Sequence, residues 1–323
     1  MWTSLASASL VFLILYAIVF AVLTALYATG RIKVRSRYSV LYFHVIIRLA
    51  SQGCGVAFGN IGYDNVNLLV AYFVLGAEGY FTLVLCTARF LVSWHNHHFG
   101  DSWLEARGRF DGMNIAQRMG AIFSLTNTRK NPLGTVHWLL IAANALIIAG
   151  GSSTSAVYSP DSDLTPSEKQ SRLTTAKALR ATGQVIFFIL NVVLFLCILY
   201  TIKQARAKAR TENKRVPIFA HPTLLLLYCT FPFLCARGIF GICQALIADL
   251  NYFNTNVYDA NGLSTHFVII EAILATMDEW VSCAILLATF YTSRNDPPKP
   301  EIGKQAFSAK SLTDEEATGV SEK

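Results

Sequence analysis

The sequence predicts an all-α integral membrane protein, a bundle of seven transmembrane helices, and three observations lead there. Of its 323 residues, 53% are apolar and only 15% charged, whereas a soluble domain carries about 25% charge. Seven separate stretches of about 20 residues or more hold almost no Lys, Arg, Asp or Glu, and a helix of that length crosses the hydrocarbon core of a bilayer. The basic residues behind the formal charge of +7 gather between these stretches, on alternate sides. Such a chain is not a soluble enzyme, a nucleic-acid-binding module or a secreted disulfide scaffold.

The apolar segments run at about 9–28, 38–59, 67–92, 133–156, 179–202, 222–248 and 265–291. Each must be helical, because irregular backbone cannot face lipid with its polar groups unpaired. Together they make residues 1–294 one transmembrane domain. The first is expected to be a true span, since Met1 to Ser7 carry no positive side chain and the apolar run is too long for a signal peptide. All seven cysteines lie inside the segments, where they read as small buried hydrophobes rather than a disulfide framework. No Asn-x-Ser/Thr acceptor marks an outer loop. Two soluble pieces remain. Residues 95–131 form either a connecting loop or a surface-lying helix with Met113, Ile115, Met119, Ile122 and Phe123 on its apolar side. Residues 295–323, with Pro297, Pro298 and Pro300 ahead of Ser, Thr, Glu and Lys, are expected to be a disordered cytoplasmic tail.

Orientation follows from the basic residues near the segment ends. Twenty of the 27 lie after segments one, three, five and seven, for example Arg31, Arg107, Lys203 and Arg294. The loops after segments two and six have none. The loop after segment four sets Lys169 and Arg172 beside Asp161, Asp163 and Glu168, with Lys177 and Arg180 leading into segment five. The expected topology is N-terminus outside and C-terminus cytoplasmic, in the plasma membrane or an endomembrane.

Charge inside the segments is the functional signal. Arg48, Glu78, Arg237, Asp278 and Glu279 fall near the middle of their segments, and Glu271 lies in the outer third. Each costs about 2.5–3.5 kcal/mol at the bilayer centre on insertion scales, so they pair or line a wet cavity. Arg89 lies nearer the inner surface and can snorkel. Polar neighbours share the faces: His44, Arg48 and Gln52 make an i, i+4, i+8 stripe, with Gly55 and Gly59 as a small-xxx-small contact. Glu78 aligns with Thr82; Arg237 aligns with Gly241 and Gln244 beyond a kink at Pro232. Glu271, Asp278 and Ser282 align in the last segment, with Glu279 one step around. Arg48, Gln52, Glu78, Arg237, Gln244, Glu271, Asp278 and Glu279 are the candidate substrate or proton site, and the competing reading makes their ion pairs register devices between helices.

Arg48 precedes Glu78 by 30 residues, and Arg237 precedes Glu271 by 34 and Glu279 by 42. That pattern fits a parallel 3+1+3 repeat with segment four as linker, a plan of transporters that bind substrate between their halves. It also predicts that Arg48 pairs with Glu78. Two arginines facing three mid-segment acids would leave one acid unmatched, so one of Asp278 and Glu279 is expected to carry a proton. His95, His97 and His98 beside Trp94 read as interfacial residues more readily than as metal ligands. No HExxH or GxSxG occurs and the last segment has no Lys, so no catalytic residue, cofactor or metal is expected.

The strings Tyr-Phe-His-Val-Ile-Ile-Arg48, Pro232-Phe-Leu-Cys-Ala-Arg237-Gly and Asp278-Glu279-Trp-Val resemble an uncharacterised family of fungal seven-helix membrane proteins. A looser similarity extends to fungal lipid-translocating exporter-like proteins, which implies export of, or resistance to, lipophilic compounds. Arg48, Arg237 and Glu279 are the positions that match; the doubled acid Asp278-Glu279 departs from the pattern. Transport of a small or lipophilic molecule is therefore the first expectation. A seven-helix receptor signalling to a cytoplasmic protein through the basic loops is the second, although the last segment lacks Asn-Pro-x-x-Tyr. A structural assembly subunit is the third.

Overall fold

The computed structural model describes residues 2–34, 36–105, 114, 132–157, 165–211, 219, 221–260, 262–294 and 296. The proposed surface helix at 113–123, apart from residue 114, and nearly all of the tail lie outside these residues. The long helices are α1 (Ser4–Ala28), α2 (Tyr38–Ile61), α3 (Val66–His98), α4 (Pro132–Val157), α5 (Pro166–Thr211) and α6 (Pro222–Leu246). The last segment consists of α7 (Thr265–Glu271), a π-helical turn (Ala272–Met277) and α8 (Asp278–Thr292). Between α6 and α7 two short 3₁₀ turns lead into a two-residue hairpin, β1 (Tyr258–Asp259) antiparallel to β2 (Gly262–Leu263).

Local chemistry sets the helix starts. Thr3 accepts the Ala6 N–H, Ser264 accepts the Phe267 N–H, and His221 caps α6 through the Thr223 N–H. Pro132, Pro166 and Pro222 each stand at a first helical position, where the missing N–H has no partner to lose. Thr165 and Glu168 form a reciprocal capping box on α5: the Thr165 N–H donates to Glu168 Oε2 at 2.9 Å. These caps begin α1 and α5 well before the apolar runs do. Charged turns beyond the apolar part extend α3 to His98 and make α5 46 residues long.

Five helical stretches are long and apolar enough to cross a membrane: Ser4–Ala28, Tyr38–His98, Pro132–Thr154, Pro166–Thr211 and Pro222–Leu246. Tyr38–His98 contains both α2 and α3, joined at the 3₁₀ turn Gly62–Asn65. The outward faces are apolar, with Ile14, Ile18, Ile189 and Leu196 all more than half exposed. Arg48, Gln52, Arg237, Gln244, Glu271, Asp278 and Glu279 are instead buried among the helices. Apolar outside and polar inside suits a hydrocarbon solvent and not water. The chain is an integral, multi-pass membrane protein.

The helices pack in chain order, α1 on α2, α2 on α3, α4 on α5, α5 on α6 and α6 on α8. Small residues allow the closest approaches. A side chain at Gly55 would meet Ser9, and one at Gly59 would meet Thr3 and Ala6, so this pair seats α2 on α1 as its spacing predicts.

Candidate functional site

A cavity of about 530 Å³ lies within the bundle beneath Tyr252 and Phe253, which follow α6. Arg48, Arg237, Gln244, Glu271 and Glu279 line it, together with Arg180, Gln184, Tyr72, Tyr252 and apolar residues of α3 and α4. Five of the eight predicted site residues therefore meet in one place.

Glu279 is the centre of its polar floor. Arg237 Nε donates to Glu279 Oε1 at 2.6 Å, and Arg48 Nε lies 3.3 Å from Glu279 Oε2. Glu279 is 1% exposed, so two guanidinium groups compensate one buried carboxylate. The expected Arg48–Glu78 pair does not form. Glu78, half-buried, accepts a hydrogen bond from Asn144 Nδ2 of α4 instead. Both arginines thus converge on the last segment, and the residue correspondence behind the 3+1+3 repeat fails at this pair.

The π turn explains which acid faces the arginines. In a regular helix the residue two turns beyond Glu271 is Asp278, seven positions on. The wide turn at 272–277 takes up one extra residue, which brings Glu279 beneath Glu271 on the cavity side. Asp278 is buried at 6% exposure but does not line the cavity. Among the described residues no hydrogen bond reaches its Oδ2, and Ser282 donates to its backbone carbonyl, not its carboxyl. Gly79 on α3 makes room for the ion triad: a Cβ there would lie 2.5 Å from Glu279 Oε2 and 2.9 Å from Arg48 Cδ.

Glu271 forms the upper wall. Its Oε1 accepts from Tyr252 at 2.7 Å and from Tyr72 at 3.2 Å. Burial, and then the adjoining Glu271, push the Tyr252 phenol well above its ordinary value, so it remains a donor. Gln52 sits behind this wall, in a small void with Ser9, Tyr72 and Glu271. His44, one turn from Arg48, pairs with Thr82 through Nδ1 at 2.8 Å.

Arg180 and Gln184 are the site residues that sequence reasoning missed. Arg180 looked like a loop residue because the apolar run starts at 179, yet it stands four turns inside α5. It donates to Asn251 Oδ1 at 2.8 Å and to the Gln244 carbonyl at 3.5 Å, and stacks over Phe253 at 4.9 Å. The available signal was its i, i+4 spacing to Gln184, next to Gly183.

The other end of the bundle holds the histidines. His95 is fully buried between Ser102 and Thr201, at 2.9 and 2.8 Å. Arg89, its side chain 27% exposed, pairs with Glu105 at 2.5 Å. His98, His221 and Asp296 come together, with possible metal-donor atoms within 4.8 Å of one another. His221 Nδ1 already accepts the Thr223 N–H, so its Nε2 carries the proton and faces Asp296 Oδ1 at 3.3 Å. The arrangement is a close polar contact between the start of α6 and the residue beyond α8, with no hydrogen bond to the Asp296 carboxylate among the described residues.

A closed ion triad, a tyrosine-held acid and an apolar side wall define a polar cavity inside a membrane bundle. No family model, curated protein or solved structure matches the chain.

Proposed function

We propose that this protein is a seven-span transporter that moves a small or lipophilic molecule across the bilayer through its cavity. The observation that carries the reading is the cavity itself: about 530 Å³, topped by Tyr252 and Phe253, with fixed charges at its floor and apolar residues on its α3–α4 side. Charges buried at such depth are characteristic of substrate and ion pathways. Their use as register devices alone accounts for the triad but not for the open volume beside it. The N-terminus lies outside and the C-terminus in the cytoplasm, by the distribution of basic residues, so the cavity faces outward. Proton coupling is assigned to Asp278, since Glu279 is neutralised by two arginines.

Reconstitution tests this. Vesicles containing the full chain should accelerate transbilayer movement of fluorescent amphiphiles over protein-free vesicles, and Glu279→Gln should abolish the gain. If a panel of cationic, neutral and anionic amphiphiles and small polar solutes all move at the protein-free rate, the transport reading is wrong.

A further inference from the structure

Three guanidinium groups, of Arg48, Arg180 and Arg237, face the cavity against two carboxylates, of Glu271 and Glu279. A positive charge is therefore left over even with both acids ionised. The triad of Arg48, Arg237 and Glu279 already carries one net positive charge, and Arg180 carries a second against the single carboxylate of Glu271. Glu279 is taken by Arg48 and Arg237, and Glu271 by two tyrosine hydroxyls. Arg180, 8% exposed, has only neutral partners: an amide oxygen, a carbonyl and an aromatic ring. Among the described residues no carboxylate pairs with it. A buried cation without an anion is strongly unfavourable.

Unused donors surround it. Arg237 is 6% exposed and its Nη1 has no hydrogen-bond acceptor; Gln244 Nε2 is likewise without one. Gly241 lets Gln184 and Arg237 pack directly against its backbone, since a Cβ there would lie 2.3 Å from Gln184 Oε1 and 3.3 Å from Arg237 Nη1. The forked, planar guanidinium suits phosphate and carboxylate oxygens.

The apolar side of the cavity leads out of the bundle. Val70 and Val74 of α3 and Ile148 of α4 line the cavity and are 44%, 41% and 38% exposed. Val66, one turn along the same stripe, is 49% exposed and no longer part of the cavity. Lining residues of α3 and α4 that are this exposed on the outside of the bundle mark a side opening of the cavity between the two helices.

We infer that the cavity takes a single-headed anionic amphiphile, its phosphate or carboxylate headgroup set against Arg180 and Arg237 and its chain leaving between α3 and α4. This rests on the cavity being the substrate site and adds the charge and shape of what enters it.

The test is native mass spectrometry of the full chain in maltoside micelles, with dodecyl phosphate, dodecyltrimethylammonium and inorganic phosphate as probes. One dodecyl phosphate should bind per chain, at least about tenfold more tightly than either other probe. Arg180→Gln should weaken it about 10- to 100-fold, as expected for lost charged hydrogen bonds. Val74→Trp, a lipid-facing change that alters no charge, should weaken dodecyl phosphate by narrowing the side opening, and it decides the matter if Arg180→Gln does not fold. Equal or tighter binding of the ammonium amphiphile overturns the charge assignment. Inorganic phosphate bound as tightly as dodecyl phosphate, or a Val74→Trp protein that binds unchanged, overturns the amphiphile. If dodecyl phosphate binds but is not moved in vesicles, transport falls and this inference stands; if only a cationic or neutral amphiphile is moved, the reverse holds.

Discussion

Arg237 and Glu279, 42 residues apart, meet at 2.6 Å inside the bundle and tie α6 to α8 at the floor of the cavity. Arg48 approaches the other oxygen of the same carboxylate at 3.3 Å. One acid thus joins three helices.

Removing that acid strands two cations, whereas removing Arg48 leaves Glu279 still neutralised by Arg237. Glu279→Gln should destabilise the protein by about 3–5 kcal/mol, the usual cost of breaking a buried pair, and Arg48→Met by clearly less. Glu78→Gln should be mildest of the three. Thermal unfolding in detergent checks the order; a Glu78 variant as damaging as the Glu279 variant would remove the triad from the centre of the site.

Gly79→Ala places a methyl group against Glu279 and Arg48, both held from several sides. Overpacking of that kind costs about 1–3 kcal/mol. Gly53→Ala, where a Cβ meets nothing within 4 Å, is the control and should not lower stability. The pair is read from melting temperatures measured side by side.

The π turn carries one residue more than a regular helix needs. Deleting Ala275 should convert it to ordinary helix while leaving both flanks in phase. Deleting Ala284 from regular α8 should rotate everything beyond it by about 100°. The first variant is expected to express and purify, and the second to aggregate. Equal outcomes in size-exclusion profiles would count against the phase argument.

Topology makes a separate expectation. A reporter inserted at Asp161 should read outside, and one fused after Lys323 should read cytoplasmic. Reversal at both sites would turn the cavity to face the cytoplasm.

Proton coupling predicts a division between neighbours. Asp278→Asn should flatten the dependence of amphiphile movement on external pH and leave the ion triad intact, so stability stays near that of the parent. An unchanged pH profile in an active Asp278→Asn protein would remove the proton role.

The helices were legible because hydrophobic runs report what a bilayer demands of each segment. Burial was legible too: Arg48, Arg237 and Glu279, counted near the middle of their segments, and Glu271, counted in the outer third, are buried and share the cavity with Gln244. Partners were not. Pairing of Arg48 with Glu78 assumed that neighbours in sequence are neighbours in charge, but α8 supplies a better-placed carboxylate. The choice between Asp278 and Glu279 depended on a π turn that leaves no mark in hydrophobic periodicity. Arg180 was missed because apolarity locates the lipid boundary and not the start of a helix capped 14 residues earlier by Thr165 and Glu168.

The length of α5 has a mechanical consequence. At 1.5 Å per residue its 46 residues extend about 69 Å, more than twice a hydrocarbon core of about 30 Å. Gly183 seats it on α4 against the Ala143 carbonyl, close to Arg180, and this contact can serve as a fulcrum. From there to Thr211 the rod measures about 42 Å, so a tilt of about 10° swings the distant tip by about 7 Å. Near that tip Thr201 holds His95, and Lys208 donates to the His98 carbonyl at 3.0 Å. An amphiphile of the kind inferred above, set beside Arg180, would press on the same rod that carries these contacts at its other end.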